Sequence, residues 1–123
     1  MGRDILVTVE PRFLAEYSDM IHDEYVFAYH IVIENRGDDI VTLKRRFWRI
    51  TDALGRVDEI EGQGVVGETP TLEPDEAFEY TSSARLHTPW GSMVGHYEFE
   101  AENGERFKVA IPMFVLKANV TLQ

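Results

Sequence analysis

Residues 62–67 read GQGVVG and match the G-x-G-x-x-G pattern of dinucleotide-binding loops. In such loops a helix begins directly after the glycines, because its N-terminus holds the pyrophosphate. Here Pro70 and Pro74 follow. A helix that began near Pro70 would be broken within about a turn, because Pro74 lacks an N–H group and its ring clashes with the preceding turn. The segment is therefore predicted to connect strands, and a Rossmann fold is excluded.

The rest of the chain alternates between apolar and polar residues with a period of two. The most regular run covers residues 25–34, and a turn follows at residues 35–39. Such alternation is typical of β-strands. In the next run the alternation slips near Arg45 and Arg46, which predicts a β-bulge. Asn103-Gly104 predicts a tight hairpin. Pro112 indicates that the end of the strand after this hairpin lies at a sheet edge.

These runs predict an all-β chain with seven or more short strands. The expected architecture is an immunoglobulin-like (fibronectin-III-like) β-sandwich of two antiparallel sheets, formed by a single domain over residues 1–123. Two aromatic residues fit this class. Trp48 lies on the third strand, where a Trp is often buried, and Tyr97 lies where such folds have a tyrosine corner. Residues 13–22 are the one candidate for a helical turn, and they could equally continue an irregular strand.

Composition limits the choice of partners. The chain has 123 residues with a formal net charge of −10 and a pI of about 4.7, so nucleic acid and anionic membranes are not expected partners. It has no cysteine, which excludes disulfides and thiolate chemistry. No run approaches the ~20 apolar residues of a membrane helix. No signal peptide is visible at the N-terminus, and we expect a cytoplasmic location.

Several blocks together resemble the ApaG family. They read RFWRITD at 46–52, GQGVVGE at 62–68, LEPDEAFEYTS at 72–82 and GSMVGHY at 91–97, followed by Ile111-Pro112 and Phe114. The resemblance implies an immunoglobulin-like or fibronectin-III-like sandwich in a small bacterial cytoplasmic protein, with a link by name to cobalt and magnesium resistance. It also implies action through protein partners rather than catalysis. Two positions depart from the family: Asp75 replaces a usual Gly, and Trp90 replaces a smaller residue.

The glycine segment is the first candidate site. Backbone N–H groups in a glycine-rich turn can bind an anion without a helix, and nearby arginines can add charge-assisted hydrogen bonds. The alternative is that the glycines only permit a tight turn or crossover. The candidate anion-binding residues are Gly62, Gly64, Gly67, Arg46, Arg49 and Arg56.

Other reactive groups are weaker candidates. The basic run at residues 44–46 is either a solvated sheet face or a patch for an acidic partner. His96 shares a strand face with two glutamates, and His30 shares one with Glu34, so these groups could hold a metal only if their strands were neighbours. No nucleophile elbow or catalytic triad can be singled out. No catalytic residue, metal site or cofactor is predicted.

The expected function is a non-enzymatic binding module that presents a sheet face or edge to an unidentified protein partner, with an indirect link to cobalt and magnesium homeostasis. A homodimer through the same edges is a further expectation. The alternative is a weak binder or sensor of phosphate, pyrophosphate or nucleotide at residues 62–67. An enzyme is not expected, because no base, nucleophile and metal can be grouped from the sequence.

Overall fold

The structure is a computed structural model and describes residues 3–119. It contains eight β-strands and two single 3₁₀ turns, at Ala15–Tyr17 and Met20–His22. Both turns lie in the segment for which a helical turn and an irregular strand were the two alternatives. The strands are β1 (Ile5–Phe13), β2 (Tyr25–Asn35), β3 (Val41–Asp52), β4 (Val57–Gln63), β5 (Thr71–Leu72), β6 (Ala77–Leu86), β7 (Trp90–Ala101) and β8 (Arg106–Lys117).

The strands form two antiparallel sheets. One has the order β1-β2-β6, and the other has the order β4-β3-β7-β8 with the short β5 also paired to β3. The predicted all-β sandwich of two antiparallel sheets with seven or more strands is confirmed. The order is consistent with the immunoglobulin-like subclass, in which an additional strand can extend the second sheet at the place that β4 occupies here.

Among residues 3–119 no helix combines the length and the apolar character that crossing a bilayer requires.

Inner-face side chains of the two sheets form one continuous core. Trp48 is buried there as predicted, with its ring edge-on to Tyr29 at 5.5 Å and to Phe114 at 5.8 Å between ring centroids. Edge-to-face contacts of this kind add to the free energy of simple burial. The core also includes Phe27, Ile31, Ile33, Leu43, Phe99, Ile111 and Leu116.

A hydrogen bond between two tyrosine side chains joins the two sheets inside this core. The hydroxyls of Tyr80 on β6 and Tyr97 on β7 lie 2.6 Å apart, and burial raises the pKa of both. A buried hydroxyl is costly unless it is bonded, and in this pair one hydroxyl donates and the other accepts. The predicted tyrosine corner is wrong in its bonding, because that motif bonds the backbone and Tyr97 bonds a side chain of the opposite sheet.

The predicted irregularity in β3 is present, slightly earlier than the sequence indicated. Leu43 pairs with Phe99 and Arg45 pairs with Glu98, so Lys44 is the extra residue of the bulge. The bulge resets the alternation of the strand. As a result Arg46 lies in the same phase as Trp48, whose side chain points toward the other sheet.

The glycine segment is a connection along one sheet edge. β4 ends at Gln63, the Gly64 N–H donates to the Lys44 carbonyl at 2.8 Å, and the chain then returns to β3 at Pro70, whose carbonyl accepts from Leu43 N–H at 2.9 Å. Val65 and Glu68 exchange two backbone hydrogen bonds of 2.8 Å across the intervening turn. No helix follows the glycines in residues 3–119, so the predicted strand-to-strand connection is confirmed.

The central residues of this turn both have positive φ, at 43° for Val66 and 80° for Gly67. Positive φ at both positions is the signature of a type I′ turn, which favours Asn or Gly. For a β-branched residue such as Val66, positive φ is unfavourable.

The downstream turn at Glu73–Glu76 closes through a hydrogen bond from Glu76 N–H to Glu73 O at 3.0 Å, and Asp75 has φ 71°. Pro74 followed by positive φ defines a type II turn, which explains why the family usually has Gly at this place.

We expect Val66→Asn to stabilise the protein by about 1 kcal/mol, because Asn tolerates the left-handed conformation that Val resists. Urea unfolding measures the change. Val66→Thr is the control, since it keeps the β-branched carbon and should leave the free energy of unfolding unchanged. Equal stability of the Asn and Thr variants would show that Val66 is not strained.

We expect Gly64→Ala to destabilise the protein by about 2 kcal/mol or more, because it combines positive φ with overpacking. Gly64 has φ 66°, and a Cβ there would lie 2.3 Å from the Glu68 carbonyl oxygen. Gly67→Ala is a matched control in the same loop: Gly67 has φ 80°, but a Cβ added there would meet no atom within 4 Å. Thermal unfolding should rank Gly64→Ala below Gly67→Ala, and the reverse order would contradict the close approach.

Candidate functional site

Arg46 joins the glycine segment to the space between the sheets. Its Nη1 donates to the carbonyl oxygens of Gly64 at 2.9 Å and Gln63 at 3.2 Å. Gly62 leaves room for the guanidinium, because a Cβ at that position would lie 3.1 Å from Nη1. Gly64 therefore contacts Arg46 through its carbonyl, and Gly62 accommodates Arg46 because it has no side chain.

The other two candidate arginines lie elsewhere. Arg49 is on the outer face of β3, where Nε and Nη2 donate to Glu59 at 3.0 and 2.8 Å. Arg56 follows the β3–β4 turn, and its Nε donates to Asp52 at 2.9 Å. Of the predicted anion-binding set, the structure thus brings Arg46 to the glycines, while Arg49 and Arg56 are engaged by carboxylates. Anion binding at residues 62–67 stays a prediction.

A cleft of about 310 Å³ opens between the sheets where β4 and β6 form their edges. We call it the inter-sheet cleft. It exists because the sheet that contains β4 extends past β6, and no described strand covers the inner face of β4. Its lining residues are Tyr29, Arg46, Trp48, Ile50, Asp58, Ile60, Ser82, Ser83, Ala84, Arg85 and Met93.

Tyr29 and Ser82 form the polar floor of the cleft, and the charge of Arg46 affects the pKa of Tyr29. Burial raises the pKa of Tyr29, and the Ser82 hydroxyl and the Arg46 charge both oppose that rise. The Arg46 charge also opposes the rise in pKa at Tyr80 and Tyr97. Arg46 lines the cleft beside Tyr29 and Ser82, which agrees with the phase that the Lys44 bulge imposes on β3.

A second feature lies on the outer face of the five-stranded sheet. Trp90 and Val94 on β7 are 51% and 39% exposed, and Val115 on β8 is 51% exposed. Val115 pairs with Ser92, the residue between the two β7 positions, and Met113 lies at the β8 irregularity beside Val94. We call Trp90, Val94, Met113 and Val115 the outer patch. Contiguous exposed apolar side chains of this kind mark interaction surfaces.

A polar cluster that the sequence did not reveal lies on the exposed face of the β1-β2-β6 sheet. His30 Nδ1 is 2.7 Å from Thr81 Oγ1, and His30 Nε2 is 2.9 Å from Glu79 Oε1. The three residues meet because β2 pairs with β6, although about 50 positions separate them in the chain. The arrangement has the order hydroxyl, imidazole, carboxylate, but it lies on an open sheet face where water competes for every bond.

The strands of His30 and His96 are not neighbours, so the metal site that required this does not form. His30 is on β2 and His96 is on β7, and these strands belong to different sheets. In the part of the chain from residue 3 to residue 119, no group of three or more His, Asp or Glu side chains converges as metal ligands would. His96 instead stacks on Phe47, with ring centroids 5.1 Å apart.

These features define a small two-sheet β-sandwich domain with a cationic cleft between its sheets and an apolar patch on one outer face. The family model described as the ApaG domain matches residues 15–101. The chain is 52% identical to Protein ApaG of Parvibaculum lavamentivorans and 54% identical to that of Agrobacterium fabrum, in both cases over 94% of this chain and 89% of the relative. The chain belongs to the ApaG family, as its sequence resemblance indicated.

A solved structure agrees with this assignment. The crystal structure of an ApaA protein from Bordetella pertussis superposes with a TM-score of 0.94 at 45% identity, covering 98% of both chains. A second X-ray structure, a structural-genomics target, has a TM-score of 0.89 at 42% identity and covers 96% of this chain and 89% of its own. The architecture described above is therefore found in experimentally determined chains of similar sequence.

Proposed function

We propose that this chain is a non-enzymatic binding module that presents the outer face of its five-stranded sheet to a protein partner in the cytoplasm. The outer patch carries the proposal. Trp90 is half exposed on a regular strand, and exposed Trp side chains are over-represented among residues that dominate binding energy. The rim is polar, with the Arg49–Glu59 pair on one side and Lys117 on the other, as in typical interfaces.

The proposed partner is a different protein rather than a second copy of this chain. A net charge of −10 makes two copies repel each other, and a few exposed apolar side chains do little to offset that repulsion. A homodimer is the alternative, and the experiment must distinguish it from binding to a different protein. We keep the link to cobalt and magnesium homeostasis as an indirect effect that the partner would transmit.

We expect Val115→Glu to weaken capture of the partner by roughly tenfold or more, because it places an unpaired charge in a desolvated contact. The matched control is Thr8→Glu. Thr8 is also an exposed position on an edge strand, but it lies on the opposite sheet. Immobilised wild-type protein and both variants are compared by affinity capture from lysate and mass spectrometry.

The outcomes are distinct. A protein retained by wild type and Thr8→Glu but lost by Val115→Glu supports the proposal. Equal retention on all three proteins would reject the outer patch. Sedimentation analysis addresses the second copy: a wild-type dimer that Val115→Glu converts to a monomer would assign the patch to self-association instead.

The second candidate function is weak binding of phosphate, pyrophosphate or nucleotide at residues 62–67. The position of Arg46 against the glycines favours it. The Gly64 N–H, however, already donates to the Lys44 carbonyl, which leaves fewer amides for an anion. A pyrophosphate titration followed by the amide signals of Gly62, Gly64 and Gly67 tests it, and unchanged signals at millimolar pyrophosphate would reject it.

A further inference from the structure

The inter-sheet cleft contains two arginines that lack an acidic partner. Six other arginines of the described residues form ion pairs: Arg3, Arg36, Arg45, Arg49, Arg56 and Arg106. Arg46 and Arg85 form none with any carboxylate in residues 3–119, and both line the cleft. Arg12 on β1 has no ion pair in that range either, but it lies at a separate cavity. Two arginines without an ion pair at one cleft outnumber its single carboxylate, Asp58, and favour the binding of an anion there.

Arg46 is held in a fixed orientation before any ligand binds. Its two hydrogen bonds to the carbonyls of Gln63 and Gly64 use Nη1, so Nε and Nη2 have no partner among the described residues. A guanidinium has five N–H donors in a rigid fork that matches a carboxylate or phosphate. Binding costs less when the recognising group is already ordered. The glycine segment therefore acts as a support for Arg46.

The rest of the cleft is partly polar and partly apolar. The Tyr29 side chain and the Ser82 hydroxyl lie on its floor beside Arg46. Trp48 and Ile60 pair across β3 and β4 and form an apolar wall. Ile60 lies on the inner face of β4, yet its side chain is 44% exposed. Ligand sites typically combine an apolar wall with a few convergent polar groups in a volume of about 300–1,000 Å³. The cleft is at the lower end of that range.

The charge of the cleft selects among anions. Three charged side chains line it, Arg46, Arg85 and Asp58, which give a formal sum of +1. The surrounding protein carries a net charge of −10 and repels a dianion more strongly than a monoanion. A single carboxylate thus fits better than a phosphate ester or pyrophosphate, and the apolar wall favours a flat hydrophobic body over a sugar.

We infer that the inter-sheet cleft is a binding site for a small aromatic carboxylate, whose carboxylate accepts hydrogen bonds from Arg46 while its ring lies against Trp48 and Ile60. Arg85 lies on the outward phase of the edge strand β6 and contributes charge at the rim of the cleft. This site is distinct from the outer patch, because Arg46 and Trp48 point into the sandwich. It is also distinct from an anion nest at residues 62–67, since it uses the side chain of Arg46 and not the loop amides.

The test is a titration of the isotope-labelled full chain with 2-naphthoate, followed by NMR. We expect saturable shifts at the Trp48 indole and at the amides of Ile60 and Ser82. The neutral analogue 2-naphthamide should bind roughly tenfold more weakly or worse, because it cannot form charge-assisted hydrogen bonds. Pyrophosphate is titrated in parallel.

Variants assign the binding to its residues. Arg46→Gln should raise the Kd for 2-naphthoate by roughly tenfold or more. The matched control is Arg45→Gln, because Arg45 is the adjacent residue on the opposite face of β3, and it should leave the Kd unchanged. Arg46 also supports the loop, so Arg85→Gln serves as a second variant, with an expected severalfold increase in Kd and an unchanged amide spectrum.

Two results of the ligand titrations would overturn the inference: no saturable shifts at millimolar 2-naphthoate, or equal affinity for 2-naphthoate and 2-naphthamide. Among the variants, an equal loss of affinity in Arg45→Gln and Arg46→Gln would overturn it. If Arg46→Gln does not fold, an unchanged Kd in Arg85→Gln would overturn it. Shifts with pyrophosphate alone, confined to residues 62–67, would also overturn it and would support the loop as the anion site. Loss of the outer-patch interaction in Val115→Glu leaves this titration unaffected, so the two proposals fail independently.

Discussion

The β-bulge at Lys44 is the constraint on which the rest of this architecture depends. A shift of one residue moves every following side chain of a strand to the other face. The bulge lets Leu43 and Trp48 both point into the core, although the spacing between them is odd. It also turns Arg46 inward. The Gly64 N–H bonds the carbonyl of the bulged residue, so the glycine segment and the bulge stabilise each other.

This arrangement places two different surfaces on opposite faces of the same sheet. The inner face of β3 and β4 carries Arg46 over a polar floor and beside an apolar wall, at a place where the opposite sheet ends. The outer face of β7 and β8 carries the half-exposed apolar side chains of the outer patch. An inward charge is costly in a closed core. It is tolerated here because Arg46 lies at the open edge of the sandwich and donates to backbone carbonyls.

Most strands could be predicted because alternation is a local signal. The regular run that became β2, the hairpin between β7 and β8, and the edge position of the strand with Pro112 were confirmed. The type I′ turn that Asn103-Gly104 favours was wrong, because only Gly104 of the pair has positive φ. The pair Tyr80 and Tyr97 could not be predicted, because each tyrosine looks like an ordinary core residue and the bond depends on how two sheets face each other. The same holds for His30 and Thr81, which meet only through the pairing of β2 with β6.

The sequence by itself determined that the chain is all-β, that residues 62–67 connect strands, and that the family is ApaG. Periodicity, proline chemistry and glycine conformation act over a few residues, so a linear reading captures them. Only the tertiary structure decided which arginine meets the glycines, which cations lack an acidic partner and where the sandwich is open. Those properties depend on strand order and on the register shift at Lys44, and both arise from contacts between residues that are distant in the chain.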